Sequence, residues 1–143
     1  MRIYELLRRK GFAVITARPN ATVLEVIELL KEYNLGAVVV SPDGRHVAGI
    51  VTERDIVRRL TEGTEFLEGP VSEIMTTDVE TCTAKDSVQS LMETMTEQRI
   101  RHLPVVDERG NLAGIVSIGD AVKSHITQIE FERDQLEGYV SHS

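Results

Sequence analysis

The string Gly49-Ile50-Val51-Thr52-Glu53-Arg54-Asp55 returns 65 positions later as Gly114-Ile115-Val116-Ser117-Ile118-Gly119-Asp120, and no other feature limits the fold as much. Both strings read glycine, two apolar residues, a hydroxyl, two free positions and an aspartate. An apolar pair after glycine marks the end of a buried strand, and a hydroxyl just beyond it marks a helix N-cap. The same ungapped shift superposes Val14 on Val79, Thr16 on Thr81, Val23 on Val88, Glu28 on Glu93, Glu32 on Glu97, Val40 on Val105, Ala48 on Ala113 and Val57 on Val122. The period is too long for a solenoid unit, and two copies are too few for an array. The chain therefore reads as a tandem duplication of one small α/β unit. A unit of about 50 residues buries little surface alone, so the two copies are expected to share one core.

Local patterning supplies the elements of each copy. Residues 2–9 form an amphipathic helix with Ile3, Leu6 and Leu7 on one face, stopped by Gly11. A strand is expected at 14–16, followed by a turn at Arg18-Pro19-Asn20. Thr22 and Glu25 make a capping-box pattern, and the helix they open puts Val23, Val26, Ile27 and Leu30 on one face. The second copy repeats that face with Val88, Leu91, Met92 and Met95. Strands at 37–40 and 46–51 flank the turn Pro42-Asp43-Gly44, and a helix follows from Thr52 to about Leu60. The stretch 61–70 is a polar linker, and Ser72-Glu73-Ile74-Met75 makes one helical turn. The second copy brings a strand at 79–81, a helix at 88–97 and strands at 102–106 and 112–116. Pro104 lacks an N–H, which points to a sheet edge or strand end. The last helix starts at Ser117 and meets no breaker before Gly138. Val122, Ile126, Ile129, Leu136 and Val140 stripe one side of it, interrupted by Arg133, and are expected to pack on a second subunit. The resulting organisation is an N-terminal helical segment at 1–11, a first copy at 12–61, a linker at 62–73, a second copy at 74–126 and a tail helix at 127–143.

Composition narrows the function. The net charge of −7 and the absence of Trp disfavour nucleic acid or an anionic membrane as partner. Cys82 is the single cysteine, so no internal disulfide or cysteine zinc site is expected, and the residue reads as a small buried side chain. The basic start is not followed by an apolar run, so no signal peptide is expected, and no stretch suits a membrane span. A cytoplasmic location fits these readings. The chain shows no His-x-x-x-His, no G-x-S-x-G and no P-loop, and its histidines are scattered; no catalysis and no metal site are expected.

Taken together, each copy resembles a CBS domain, named after cystathionine β-synthase, and the tandem resembles a Bateman module. The resemblance rests on the β-α-β-β-α order, on Gly-apolar-apolar-[Ser/Thr]-x-x-Asp in both copies, on Arg99-Ile100-Arg101-His102-Leu103-Pro104-Val105-Val106, and on Val71-Ser72-Glu73-Ile74-Met75-Thr76 at the entry to the second copy. It covers about residues 12–126. It implies an α/β (α+β) fold of two repeats packed sheet to sheet about a pseudo-twofold axis, with the C-terminal tail helix outside the shared pattern. It also implies two clefts that take the adenosine part of AMP, ADP, ATP, NAD(H) or S-adenosylmethionine as a regulatory ligand, with no cofactor required. Such modules assemble as homodimers or flat discs, sense energy or redox state, and modulate a partner protein. A module with vestigial clefts that serves only protein interaction is the competing reading.

The resemblance also assigns residues. Asp55 and Asp120 would hold riboses, and Thr52 and Ser117 would contact phosphate or ribose oxygens. The same spacing is a helix capping box, and both roles stay open at this point. Arg54 and Arg101 would meet phosphate, with His102 beside them; Arg58, Arg59 and Arg99 are further candidates. Gly119 stands where Arg54 stands in the first copy, so the second cleft should carry less charge and offer more backbone. Thr16 and Thr81 would lie near the cleft mouths, their backbones reading the adenine edge. Val38 and Leu103 would flank the base or serve as plain core.

Overall fold

The structure is a computed structural model that describes residues 1–142, with side chains through Val140; Ser143, the last residue of the expected tail, lies outside the described residues. A leading helix α1 (Ile3–Lys10) precedes the first copy, which runs β1 (Thr16–Ala17), α2 (Val23–Glu32), β2 (Ala37–Val40), β3 (Gly49–Thr52) and α3 (Glu53–Arg59). The second copy contributes α4 (Val88–Gln98), β4 (His102–Val106), β5 (Leu112–Ser117) and α5 (Ile118–His142). β1 lies parallel to β2, and β2 is antiparallel to β3. β4 and β5 pair antiparallel, with an irregularity between Val105 and Val106.

Local chemistry accounts for the helix boundaries. Thr22 Oγ1 accepts from the Glu25 N–H and Glu25 Oε2 accepts from the Thr22 N–H, closing the expected capping box of α2. At the far end, Asn34 and Arg99 occupy the same repeat position and share a left-handed backbone, with φ of 53° and 55°. α5 runs through Gly138 without a break, because a single glycine costs about 1 kcal/mol in a helix yet removes no hydrogen bond.

The expected strand at 79–81 does not form. Only Cys82 bridges Val105, which repeats the Ala17–Val40 pair of the first sheet. The cause is Pro104. It stands where Val39 stands, and Val39 is the partner of Thr16 in that ladder. A proline cannot supply the N–H that a longer parallel ladder needs on this side. Pro104 thus sits mid-strand, paired with Ile115 on one side and with its bare nitrogen toward the weakly paired edge. Cys82 is buried against that edge, with its Sγ facing the Pro104 carbonyl. Burial, with a smaller push from the Asp86 charge, drives its thiol up to about 12, which keeps it protonated and inert.

The two copies do not share one core, contrary to the expectation from their size. Val23, Val26, Leu30, Val38, Val40, Val51 and Ile56 form one cluster, closed by Val71 from the linker. Val88, Leu91, Met95, Leu103, Val105 and Val116 form the other, closed by Ile3, Leu6 and Leu7 of α1. Each copy is thus completed by the segment that leads into the other copy. The backbone pairing proves the equivalence. Val71 N–H donates to the Ala21 carbonyl (2.7 Å), Ser72 to Pro19 (3.1 Å), and Val23 to Gly69 (3.1 Å). Likewise Ile3 donates to Asp86 (2.9 Å), Tyr4 to Ala84 (3.0 Å), and Val88 to Met1 (2.9 Å).

This covering explains the repeated glycine. A Cβ on Gly49 would stand 2.5 Å from Met75 Sδ and 2.9 Å from the Thr76 carbonyl, and one on Gly114 would stand 3.0 Å from Leu7 Cδ2. Each glycine lets a lead-in segment lie directly on the strand. Leu7→Ala should therefore destabilise the protein by about 2–5 kcal/mol, and Gly114→Ala by about 1–3 kcal/mol through overpacking. Urea unfolding of the double variant should show a loss smaller than the sum, since the added methyl fills space that Leu7 vacates.

Candidate functional site

The first copy of the motif turns from β3 into α3 at the wall of a cavity of about 370 Å³, within the range of small-ligand sites. Thr52 caps α3. Its Oγ1 accepts from the Asp55 N–H at 3.1 Å, while Asp55 Oδ2 accepts from the Thr52 N–H at 3.0 Å. Ser117 and Asp120 repeat this box at 3.1 and 2.9 Å. Capping and ligand binding are thus not rivals here. The short Asp side chain closes the box with a single oxygen, and a carboxylate has acceptor sites to spare on the other.

Two further walls come from the second copy. Thr76, Asp78, Val79 and Glu80 form one, at the point where the lead-in segment leaves β3. Thr76 holds Ile50 through both backbone bonds, N–H to carbonyl at 2.9 and 3.0 Å. The corner between α4 and β4 forms the other wall with Arg99, Ile100, Arg101 and His102. Ile50, Val79 and Ile100 are the apolar surfaces. Arg54, Arg58, Arg99 and Arg101 all line the cavity, and among the described residues none of these four is in an ion pair, whereas Arg59 outside it pairs with Glu62. Glu53, Asp78 and Glu80 share the lining, so the cleft is not simply basic.

Among the residues expected from sequence, the cavity gathers Thr52, Arg54, Asp55, Arg101 and His102. Ser117, Gly119 and Asp120 stand at the repeat counterpart. Val38 and Leu103 lie elsewhere: both are fully buried in their own cores, because alternation along a strand turns them away from His102 and its counterpart Ala37. Thr16 lies within β1 and Thr81 is exposed beside the Cys82 bridge; neither lines this cavity. Ile100 and the stretch 76–80 escaped sequence reasoning. The signal that could have found them is the lead-in segment, which must pass the other copy's strand end before entering its own.

His102 links the two halves. Its imidazole lies on Gly36, where an added Cβ would meet Cε1 and Nε2 at 3.0 Å and Glu53 Oε1 at 3.2 Å. Burial lowers its pKa below the ordinary 6.5, the charges of Lys10 and Arg101 add to this, and those of Asp120 and Glu53 oppose it. Asp120 is pushed up by burial. The hydrogen bonds from Lys10 and the Ser117 backbone, with the Lys10 charge, outweigh that and hold it below the usual carboxylate value. A larger groove of about 690 Å³ runs between α4 and α5, but no motif residue lines it. Among the described residues, no helix is long and apolar enough to cross a membrane.

Two repeats, each with a capped helix start, the first of them at a cleft walled in part by the second, define a tandem domain pair. The CBS domain model matches the chain twice, over residues 4–62 and 71–126, and the chain belongs to the CBS-domain family. A mitochondrial CBS domain-containing protein of Arabidopsis thaliana is 36% identical over 147 aligned residues, spanning 96% of this chain and 71% of that protein. Among solved structures, a CBS-domain-containing protein from Agrobacterium tumefaciens is 42% identical with a TM-score of 0.81, over 87% of this chain and 98% of that one. A CBS domain protein from Pyrobaculum aerophilum, complexed with AMP, is 30% identical with a TM-score of 0.75, over 84% and 89%. A CBS domain pair in complex with 5′-methylthioadenosine and S-adenosylmethionine is 25% identical with a TM-score of 0.78, over 87% and 99%.

The depressed His102 sets a pH test. Folded His102 resists a proton that the unfolded chain accepts below about pH 6.5, so its contribution is intact above that pH and is lost as pH falls. Urea midpoints measured between pH 7 and 5 should fall less steeply in His102→Gln than in the parent.

Proposed function

We infer that the chain is a regulatory module without chemistry of its own, which binds a phosphorylated adenosine ligand (AMP, ADP, ATP or NAD(H)) in the cleft at Asp55. The observation that carries this reading is the meeting, in one cavity, of a capped helix start with a spare carboxylate oxygen, three aliphatic surfaces and four arginines that, among the described residues, are in no ion pair. The carboxylate suits a ribose diol, the aliphatic side chains suit a base, and guanidinium groups suit phosphate in a planar fork. AMP in the Pyrobaculum structure supports the ligand class. S-adenosylmethionine in another CBS pair widens it, but a sulfonium would meet the arginines with like charge. Glu53, Asp78 and Glu80 counter the bulk charge, so selectivity rests on which arginine reaches the phosphate.

Regulation follows from the walls. The ligand would touch α3 of the first copy and the α4–β4 corner of the second, and so favour one relative placement of the copies over others. A partner that reads that placement senses the energy or redox state set by the ligand.

Thermal shift and calorimetry with AMP, ATP, NAD⁺, NADH and S-adenosylmethionine test the reading. A ligand at about a hundred times its dissociation constant should add roughly 2.7 kcal/mol. Asp55→Ala should cost about 0.5–1.5 kcal/mol without ligand, as the loss of a capping bond, and should weaken binding by a further 1.5–3 kcal/mol or about that. Unchanged affinity in Asp55→Ala would leave the aspartate as a cap only.

The exposed faces suggest assembly. Val57 and Leu60 after α3's start, and Val122, Ile126 and Ile129 on α5, are each 40–62% exposed in the single chain, an apolar surface of the kind that marks an interface. We place a homodimer contact there. Light scattering should report a dimer for the full chain and a weaker one after removal of residues 127–143; a monomeric full chain would contradict it.

A further inference from the structure

The two clefts are not equivalent, because a side chain of the protein already stands in the second. Lys10 Nζ donates to Asp120 Oδ2 at 2.6 Å and to the Ile115 carbonyl at 2.8 Å. These acceptors are the repeat counterparts of Asp55 and Ile50, which both line the first cleft. There the Ile50 carbonyl accepts instead from the Thr76 backbone at 2.9 Å, and among the described residues no cation pairs with Asp55.

The difference has a cause in the sequence. Backbone pairing aligns Ile3 with Val71, while the repeat aligns Val14 with Val79, so the first lead-in segment is three residues longer than the second. The extra length lets α1 run on to Lys10, whereas the matching turn in the linker stops at Glu73. Counted from the lead-in pairing, the counterpart of Lys10 is Asp78, an anion that lines the first cleft and cannot pair with Asp55. The pocket at Asp120 takes further cations from Arg9 and Lys123, while Gly119 and Asn34 stand at the repeat positions of Arg54 and Arg99.

The geometry points to a self-occupied second cleft: the Lys10 amine, on the same Asp120 Oδ2 that closes the capping box and on the Ile115 carbonyl, fills the space beside the carboxylate that a ribose would enter, so the chain binds one adenosine ligand, at Asp55, and the second site opens only when Lys10 leaves. This rests on the adenosine reading above. Lys10 brings a full positive charge to the carboxylate, where a ribose hydroxyl brings only a dipole. Opening needs no movement of α1, which is anchored by buried Ile3, Leu6 and Leu7. Lys10 itself is 34% exposed and can swing out on its own stem.

Calorimetric stoichiometry with AMP tests this on the full chain. The parent should bind one AMP and lose it in Asp55→Ala. Lys10→Met, which keeps the apolar stem, should bind two, and Lys10→Met with Asp120→Ala should return to one. Two sites in the parent, or one in Lys10→Met, overturn the inference. If neither the parent nor Lys10→Met binds AMP, the adenosine reading itself fails, and amine labelling decides whether Lys10 is held. Limited acetylation should modify Lys10 about fivefold more slowly than exposed Lys31, the upper range for a partly exposed ion pair, and Asp120→Asn should abolish that protection. Equal rates in the parent overturn the latch as well.

Discussion

Neither copy closes its own core, and the rest of the structure follows from how that is repaired. The open side of the first copy is covered by the linker at Val71, and the open side of the second by α1. Both covers use the same backbone pairing and both lie on a glycine that leaves them room. The two cores are separate, yet the copies are interlocked, because each holds the other's entry segment. A covering of this kind supplies the apolar surface that a unit of about 50 residues lacks.

The clefts are a by-product of that exchange. A lead-in segment that has covered one copy must turn back to begin its own, and it turns at the strand end where the helix start is capped. In the first cleft the turning segment brings Thr76–Glu80 across Ile50 and adds Asp78 to the lining. In the second it brings the end of α1 and delivers Lys10 to Asp120. Pseudosymmetry of the fold thus coexists with opposite charge at one equivalent position. His102, lowered by burial and by Lys10, stands between the two and feels carboxylates from both sides.

Much of this was legible in the residues. The Gly-Ile-Val-hydroxyl-x-x-Asp recurrence located both helix starts, and the structure places Thr52, Arg54, Asp55, Arg101 and His102 in one cavity. What escaped did so for identifiable reasons. The role of α1 was hidden because an ungapped shift cannot see a segment offset by three extra residues. Val38 and Leu103 were open between flanking a base and plain core, and they lie fully buried in their own cores. The strand at 79–81 was inferred from its twin at 14–16, but one missing N–H at Pro104 reduces the ladder to a bridge. The capping box reads as excluding another role for the aspartates only when hydrogen bonds are counted per residue; it uses one oxygen of each carboxylate.

The exchange of covers also sets an order of events when the chain leaves a ribosome. The first copy has every piece of its core once Val71 has emerged. α1, made before either copy, finds its partners Val88, Leu91, Val105, Val116 and Ala121 only after both copies are out. For that interval Ile3, Leu6 and Leu7 form an amphipathic face with nothing to bury against, on a helix too short to be stable alone. α1 is therefore among the last elements to be fixed, and the second copy is sealed by a segment made ahead of the first.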